Sequence, residues 1–150
     1  MTSFPKPPIR APKVQRPIPR KARVKKRRGT KRAALVRACD KLWSEIIRAK
    51  GYCVLSLSEP THECKRVLQA MHGISRRYHG TRWNLSNGYP GCQAAHYRFT
   101  KDPMAWTRWL IERWGLGGYD LLWGVAQAGK PRDMAAVLSA LQARKALEGP

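Results

Sequence analysis

Within MHGISRRYHGTRWNLSNGYPGCQAAH, residues 71 to 96, three residues could together break a phosphodiester: His72, Asn87 and His96, spaced by fifteen and then nine positions. Such hydrolysis needs a general base to activate water, a group that orients the base, and a cation to stabilise charge on the phosphate and the leaving oxygen. A histidine held by an asparagine can be the base, and a second histidine on a helix can hold the cation. Arg76, Arg77 and Arg82 lie between them, and a guanidinium can grip phosphate with two parallel hydrogen bonds. Each of these arginines reads as readily as a solvated surface charge. Asn84 competes with Asn87 for the orienting role, and His79 receives none. Histidines near arginines occur in any basic protein, so the trio alone is weak.

The charge of the chain narrows the partners. Thirty Lys and Arg against nine Asp and Glu give a formal net charge of +21 over 150 residues. A chain so basic repels itself when compact and binds polyanions by releasing their counterions, which makes nucleic acid, here DNA, the expected partner. The charge is uneven, since no acidic residue precedes Asp40. Residues 1–32 alternate prolines with lysines and arginines without any apolar period, and read as a disordered basic arm. Lys25, Lys26, Arg27 and Arg28 are its densest cluster and would track phosphates without reading sequence. No run of apolar residues is long enough to span a bilayer and no signal-peptide core is visible. The expectation is a cytoplasmic protein without membrane contact, whose four cysteines stay as thiols or metal ligands.

The elements that must position the trio follow from periodicity. From Ala33, Leu35, Cys39, Leu42, Trp43, Ile46 and Ile47 recur at helical spacing, and Gly51 stands where the helix should stop. YCVLSL and RVLQAM, flanking a Ser-Glu-Pro-Thr turn region, read as a pair of short strands. PMAWTRWLIERWG predicts a helix with Trp106, Trp109, Leu110 and Trp114 inward, ended by Gly115. GYDLLWGVAQA predicts a short helix, and RDMAAVLSALQARKAL a last one led by Asp133. The tryptophans read as core rather than as base-stacking platforms. The expected organisation is the arm at 1–32, a domain at 33–125, and a C-terminal helix at 126–150 packed on or extending that domain.

The segment LQAMHGISRRYHGTRWNLSNGYPGCQAAHYRFTKDPMAWTRWL resembles the HNH, or ββα-metal, nucleases, in particular NinG/Rap-like recombination endonucleases of phages. The likeness lies in the H-x-I-S-R, R-W-N-x-x-N and C-x-x-x-H segments, the F-T-x-x-P that follows, and the tryptophan-rich helix beyond. It covers roughly residues 38 to 125 and excludes the arm. The resemblance implies an α+β fold, a small ββα-metal core with flanking helices. It also implies the roles: His72 as general base at the end of the first strand, Asn87 fixing the loop that supports it, and His96 binding Mg²⁺ or Mn²⁺. The implied substrate is branched or recombination-intermediate DNA. Resolving a four-way junction takes two active sites, hence a homodimer.

The chain departs from that pattern in ways that matter. Many members carry an Asp or His metal ligand just before the base, where this chain has Met71, and some carry a further histidine where Thr100 stands. The cation would then have His96, waters and substrate phosphate, which suits Mg²⁺ better than tightly held Zn²⁺. Asp102 could serve as an outer carboxylate. Relatives often bracket the motif with two C-x-x-C pairs that bind structural zinc; here Cys53 is matched by Ser56 and Cys92 by Ala95. Cys64 and His62 could complete an irregular site with Cys53 and Cys92, but with both pairs broken the expectation is no structural zinc.

A metal-dependent DNA endonuclease is therefore the expected activity. The alternative is a non-catalytic basic nucleic-acid-binding protein with a degenerate HNH fold. In either case, if the arm contacts six or more phosphates, DNA affinity should fall by about 10³-fold or more between roughly 50 and 200 mM salt. A flat salt dependence in a filter-binding titration would remove the arm from DNA binding.

Overall fold

A computed structural model describes residues 30–64, 67–131 and 133–147. Lys25, Lys26, Arg27 and Arg28 of the basic arm lie outside the described residues. The elements run α1 (Lys31–Ala49), α2 (Val54–Ser58), β1 (Gln69–His72), a 3₁₀ turn (Leu85–Asn87), β2 (Gly88–Gly91), α3 (Gln93–Lys101), α4 (Pro103–Gln127) and α5 (Met134–Leu147). The class is α+β, with one antiparallel two-stranded sheet among the described residues.

Helix α1 starts two residues before the apolar period does, because Thr30 caps it: its hydroxyl accepts from the Ala33 N–H at 3.2 Å. It ends at Gly51, whose positive φ of 75° no β-branched residue would take without strain. Its apolar stripe buries Cys39, Trp43, Ile46 and Ile47. Met134 and Leu141 of α5 close over that stripe. Asp133 opens α5 by accepting from the N–H groups of Ala135 and Ala136.

The strands differ from the sequence expectation. From Val54 on, YCVLSL runs into the one-and-a-half-turn helix α2, which ends at Ser58 and buries Val54 and Leu55, rather than forming a strand. Its branched, apolar residues favour a strand locally, but burial of both side chains in the central core decides the outcome. RVLQAM enters the sheet only from Gln69, and its partner is GYPG, a sequence whose glycines and proline read as a turn. The register is Gln69 with Gly91, Ala70 with Pro90, Met71 with Tyr89, and His72 with Gly88. Pro90 is tolerated because both strands of a two-stranded sheet are edges.

Glycine at 88 is required by the helix above it. A Cβ there would lie 2.2 Å from Ile47 Cδ1 and 2.7 Å from Trp43 Cζ2. Lys50 fixes the same point by donating to the Gly88 carbonyl at 2.8 Å. On its other face the sheet meets α2, α3 and α4 through Met71, Tyr89, Ala95, Phe99, Trp106 and Leu110. Trp106 and Trp109 stack at 5.1 Å, and Tyr89 meets both edge-on. The backbone of Gly115 is not helical (φ 71°, ψ 163°), so α4 consists of two helices that meet at that residue, as the sequence leads one to expect.

Gly88→Ala should force Ile47 and Trp43 off their rotamers and destabilise the chain by about 1–3 kcal/mol. Thermal melts of the variant and the parent check this, and an unchanged Tm would show that the α1–β2 contact is looser than described.

Candidate active site and metal centre

The loop between β1 and β2 is folded around Asn87. Its side chain is fully buried and satisfies three backbone groups: Oδ1 accepts from Ile74 N–H at 2.6 Å, and Nδ2 donates to the carbonyls of Ile74 at 2.9 Å and Thr81 at 3.1 Å. The Gly73 N–H adds a bond to the Asn87 carbonyl at 2.8 Å. Asn87 therefore fixes the loop. Asn84, its competitor, caps the 3₁₀ turn by accepting from Ser86 N–H. Because Asn87 is wholly buried, its side chain holds the loop beside His72 and does not reach solvent.

That loop closes on His72, the last residue of β1. The His72 Nε2 lies 3.0 Å from the Arg82 carbonyl. A carbonyl can only accept, so Nε2 carries the proton and Nδ1 keeps the lone pair. The imidazole stacks on Trp43 with centroids 4.0 Å apart. Burial pushes its pKa below the ordinary histidine value. The Arg82 carbonyl bond pulls upward, the Arg82 and Arg76 charges push further down, and Asp40 partly offsets them. The ring is thus neutral, with a free nitrogen, at neutral pH.

His72 lines a cleft of about 1050 Å³ together with Arg76, His96 and Thr100, with Lys41 and Arg48 of α1 on its rim. His96 is exposed on α3, and its Nδ1 lies 3.5 Å from the Thr100 hydroxyl one turn on. Among the described residues it belongs to no group of three converging His, Cys, Asp or Glu side chains. Arg77 is exposed next to Arg76. Arg82 is placed differently from its expected phosphate role: its Nε and Nη2 donate to the two Asp40 oxygens at 2.9 and 2.7 Å, and its side chain is only 18% exposed. Asp102 is occupied as the cap of α4, accepting from Ala105 N–H at 2.9 Å. Met71, at the position of a possible extra ligand, is buried in the core.

A second cluster bears on the expectation of no structural zinc, because it brings together the four residues of the irregular site. The ligand atoms of Cys53, His62, Cys64 and Cys92 all lie within 4.8 Å of one another, a group that could hold a metal ion. The broken C-x-x-C pairs removed two donors, but the segment before β1 folds back to supply His62 and Cys64 in their place. The Arg98–Glu59 ion pair and the bond from Trp109 Nε1 to Ser58 Oγ tie that segment to α3 and α4. His62 Nε2 stands 3.2 Å from Cys92 Sγ. Burial would raise the Cys53 thiol, but backbone N–H groups of Cys92, Ser56 and Leu55 donate to its sulfur and hold its pKa below the ordinary value. All four cysteines are free thiols. Tetrahedral zinc sites have Zn–S bonds of about 2.3 Å and so place their donors roughly 3.5–4 Å apart, a spacing between the 3.2 Å of the His62–Cys92 pair and the 4.8 Å that bounds this group.

Compared with protein-family models, curated proteins and solved structures, the chain matches none. Among the described residues no helix is long and apolar enough to cross a membrane.

The donor set should bind one equivalent of a thiophilic divalent ion. Titration with Co²⁺ should give the strong near-ultraviolet absorption of thiolate ligands, and Cys64→Ser should weaken or abolish it. Cobalt spectra without thiolate bands would show that the four donors do not act together.

Proposed function

We propose that the protein is a metal-dependent DNA endonuclease of the HNH type. The observation that carries this reading is His72: a neutral imidazole with Nε2–H taken by a loop carbonyl and Nδ1 left basic, in one cleft with Arg76 and His96. An Asn-stitched loop leading from the base into a strand and then a helix that carries a second histidine also agrees with the resemblance in the sequence.

In the mechanism, His72 Nδ1 removes a proton from water as the water oxygen attacks phosphorus. The bond from phosphorus to the 3′-oxygen breaks, that oxygen takes a proton from solvent water, and His72 later returns its proton to solvent, leaving a 5′-phosphate and a 3′-hydroxyl. Arg76, with Lys41 and Arg48 nearby, holds the flanking phosphates. His96 would hold a divalent cation, Mg²⁺ or Mn²⁺, which would supply charge stabilisation at the leaving oxygen. The Thr100 hydroxyl, 3.5 Å from His96 Nδ1, can accept from that nitrogen in the tautomer that leaves Nε2 free for the cation. Arg82 is absent from this list because Asp40 engages it. The Cys53, His62, Cys64 and Cys92 set would hold a structural zinc that fixes the segment before β1, while branched DNA remains the substrate suggested by the resemblance.

Labelled linear, single-stranded and four-way-junction DNA should be cut with Mg²⁺ or Mn²⁺ and not in EDTA. His72→Ala should reduce cutting by about 10²-fold or more without loss of binding. Because the active form of His72 is neutral and its pKa is depressed, the rate should fall with decreasing pH only below the ordinary histidine value of about 6.5. Tight binding with no cutting under any metal would favour the non-catalytic nucleic-acid-binding protein.

A further inference from the structure

Three contacts fix His72, and none comes from the strand it ends. Trp43 of α1 lies against its ring with the planes 15° apart. Trp106 of α4 donates from Nε1 to the carbonyls of His72 at 3.2 Å and Gly73 at 3.0 Å, fixing its backbone. The third contact is the Arg82 carbonyl, which belongs to the peptide joining Arg82 to Trp83. Both side chains of that pair reach the same carboxylate: Arg82 donates twice to Asp40, and Trp83 Nε1 donates to Asp40 Oδ1 at 2.9 Å. Asp40 thus grips the peptide from both sides. It lies one turn before Trp43, so both residues present to the loop from the same face of α1.

We propose that Asp40 and Trp43 form a positioning device for His72. Asp40 locks the Arg82–Trp83 peptide so that its carbonyl captures the His72 Nε2–H, and Trp43 sets the plane of the ring. The device keeps Nδ1 as the basic nitrogen and aims it consistently. The inference rests on the reading of His72 as a nuclease base, and it assigns a role to a helix that lies outside the β–β–α segment. Asp40 touches no reacting atom and is a positioning residue. With a carboxylate 39% exposed, its ion pair adds little to stability, so the fixed peptide is its main effect.

Among the described residues, the charged and titratable groups around His72 are Asp40, Lys41 and Arg48 on α1, Arg76, Tyr78 and Arg82 on the loop, His96 on α3 and Tyr119 on α4. Asp40 is the single anion of that set. Removing its charge and loosening the carbonyl bond take away both influences that raise the His72 pKa, so the ring should titrate lower still.

The test is ¹⁵N NMR of the histidine rings in the full chain from about pH 5 to 8, beside steady-state cleavage kinetics. The parent should show a His72 Nε2–H proton protected from exchange with water. Asp40→Asn should lose that protection, move the acid limb of the rate profile to lower pH, and lower kcat by about 10–100-fold with KM within about twofold. Should Asp40→Asn melt below the assay temperature, Arg82→Lys is read instead; it keeps both charges, loses the two-pronged grip, and should give the same loss of protection and of kcat with a smaller shift of the acid limb. An unprotected Nε2–H in the parent overturns the proposal, as does a folded Asp40→Asn with an intact Nε2–H signal and unchanged kcat. If the parent cuts no DNA, the nuclease reading falls by itself, and the NMR measurement still decides whether Asp40 positions His72.

Discussion

One buried amide governs the middle of this protein. The Asn87 side chain has no access to water, so each of its polar atoms must find a partner or cost free energy on the order of a kilocalorie per mole or more. It finds them in Ile74 and Thr81, thirteen and six positions back along the chain. A segment of fifteen residues with no sheet of its own is thereby closed at its base. Closure brings the Arg82 carbonyl to His72, and the same 3₁₀ turn delivers Gly88 to the underside of α1. Without that amide the two strands would have no defined register, because four-residue strands specify little by themselves.

The sheet is too small to make a core alone and is enclosed by helices on both faces. Helix α1 contributes more than apolar cover, since Trp43 Nε1 donates to the Asn84 carbonyl and Lys50 to the carbonyls of Leu85 and Gly88. These bonds satisfy loop carbonyls that no strand partner reaches. Packing and polar satisfaction therefore come from the same helix face, and the geometry around His72 depends on both.

Two chemically different sites flank the sheet. The thiolate-rich set of Cys53, His62, Cys64 and Cys92 is closed and partly buried, the character of a structural site for a soft or borderline ion. The cleft offers imidazole, hydroxyl and guanidinium groups and is open to water, the character of a site where a hard cation keeps most of its hydration.

Much was legible in the sequence because it depends on local periodicity. The stripe of α1, the break at Gly115 and the capping of α5 by Asp133 follow from spacing and backbone preference within a few residues. The choice of His72, Asn87 and His96 rested instead on the family resemblance, with residue type and interval as its carriers. Tertiary structure alone decided which partners the side chains take. It made VLSLS a helix and GYPG a strand, because burial against neighbours outweighs the preference of five residues. It assigned Arg82 to Asp40, forty-two positions away, and it gathered Cys53, His62, Cys64 and Cys92 from segments up to thirty-nine residues apart. No spacing rule encodes such meetings. They exist only once the loop is closed and the helices are packed, since each contact needs both partners already held in place.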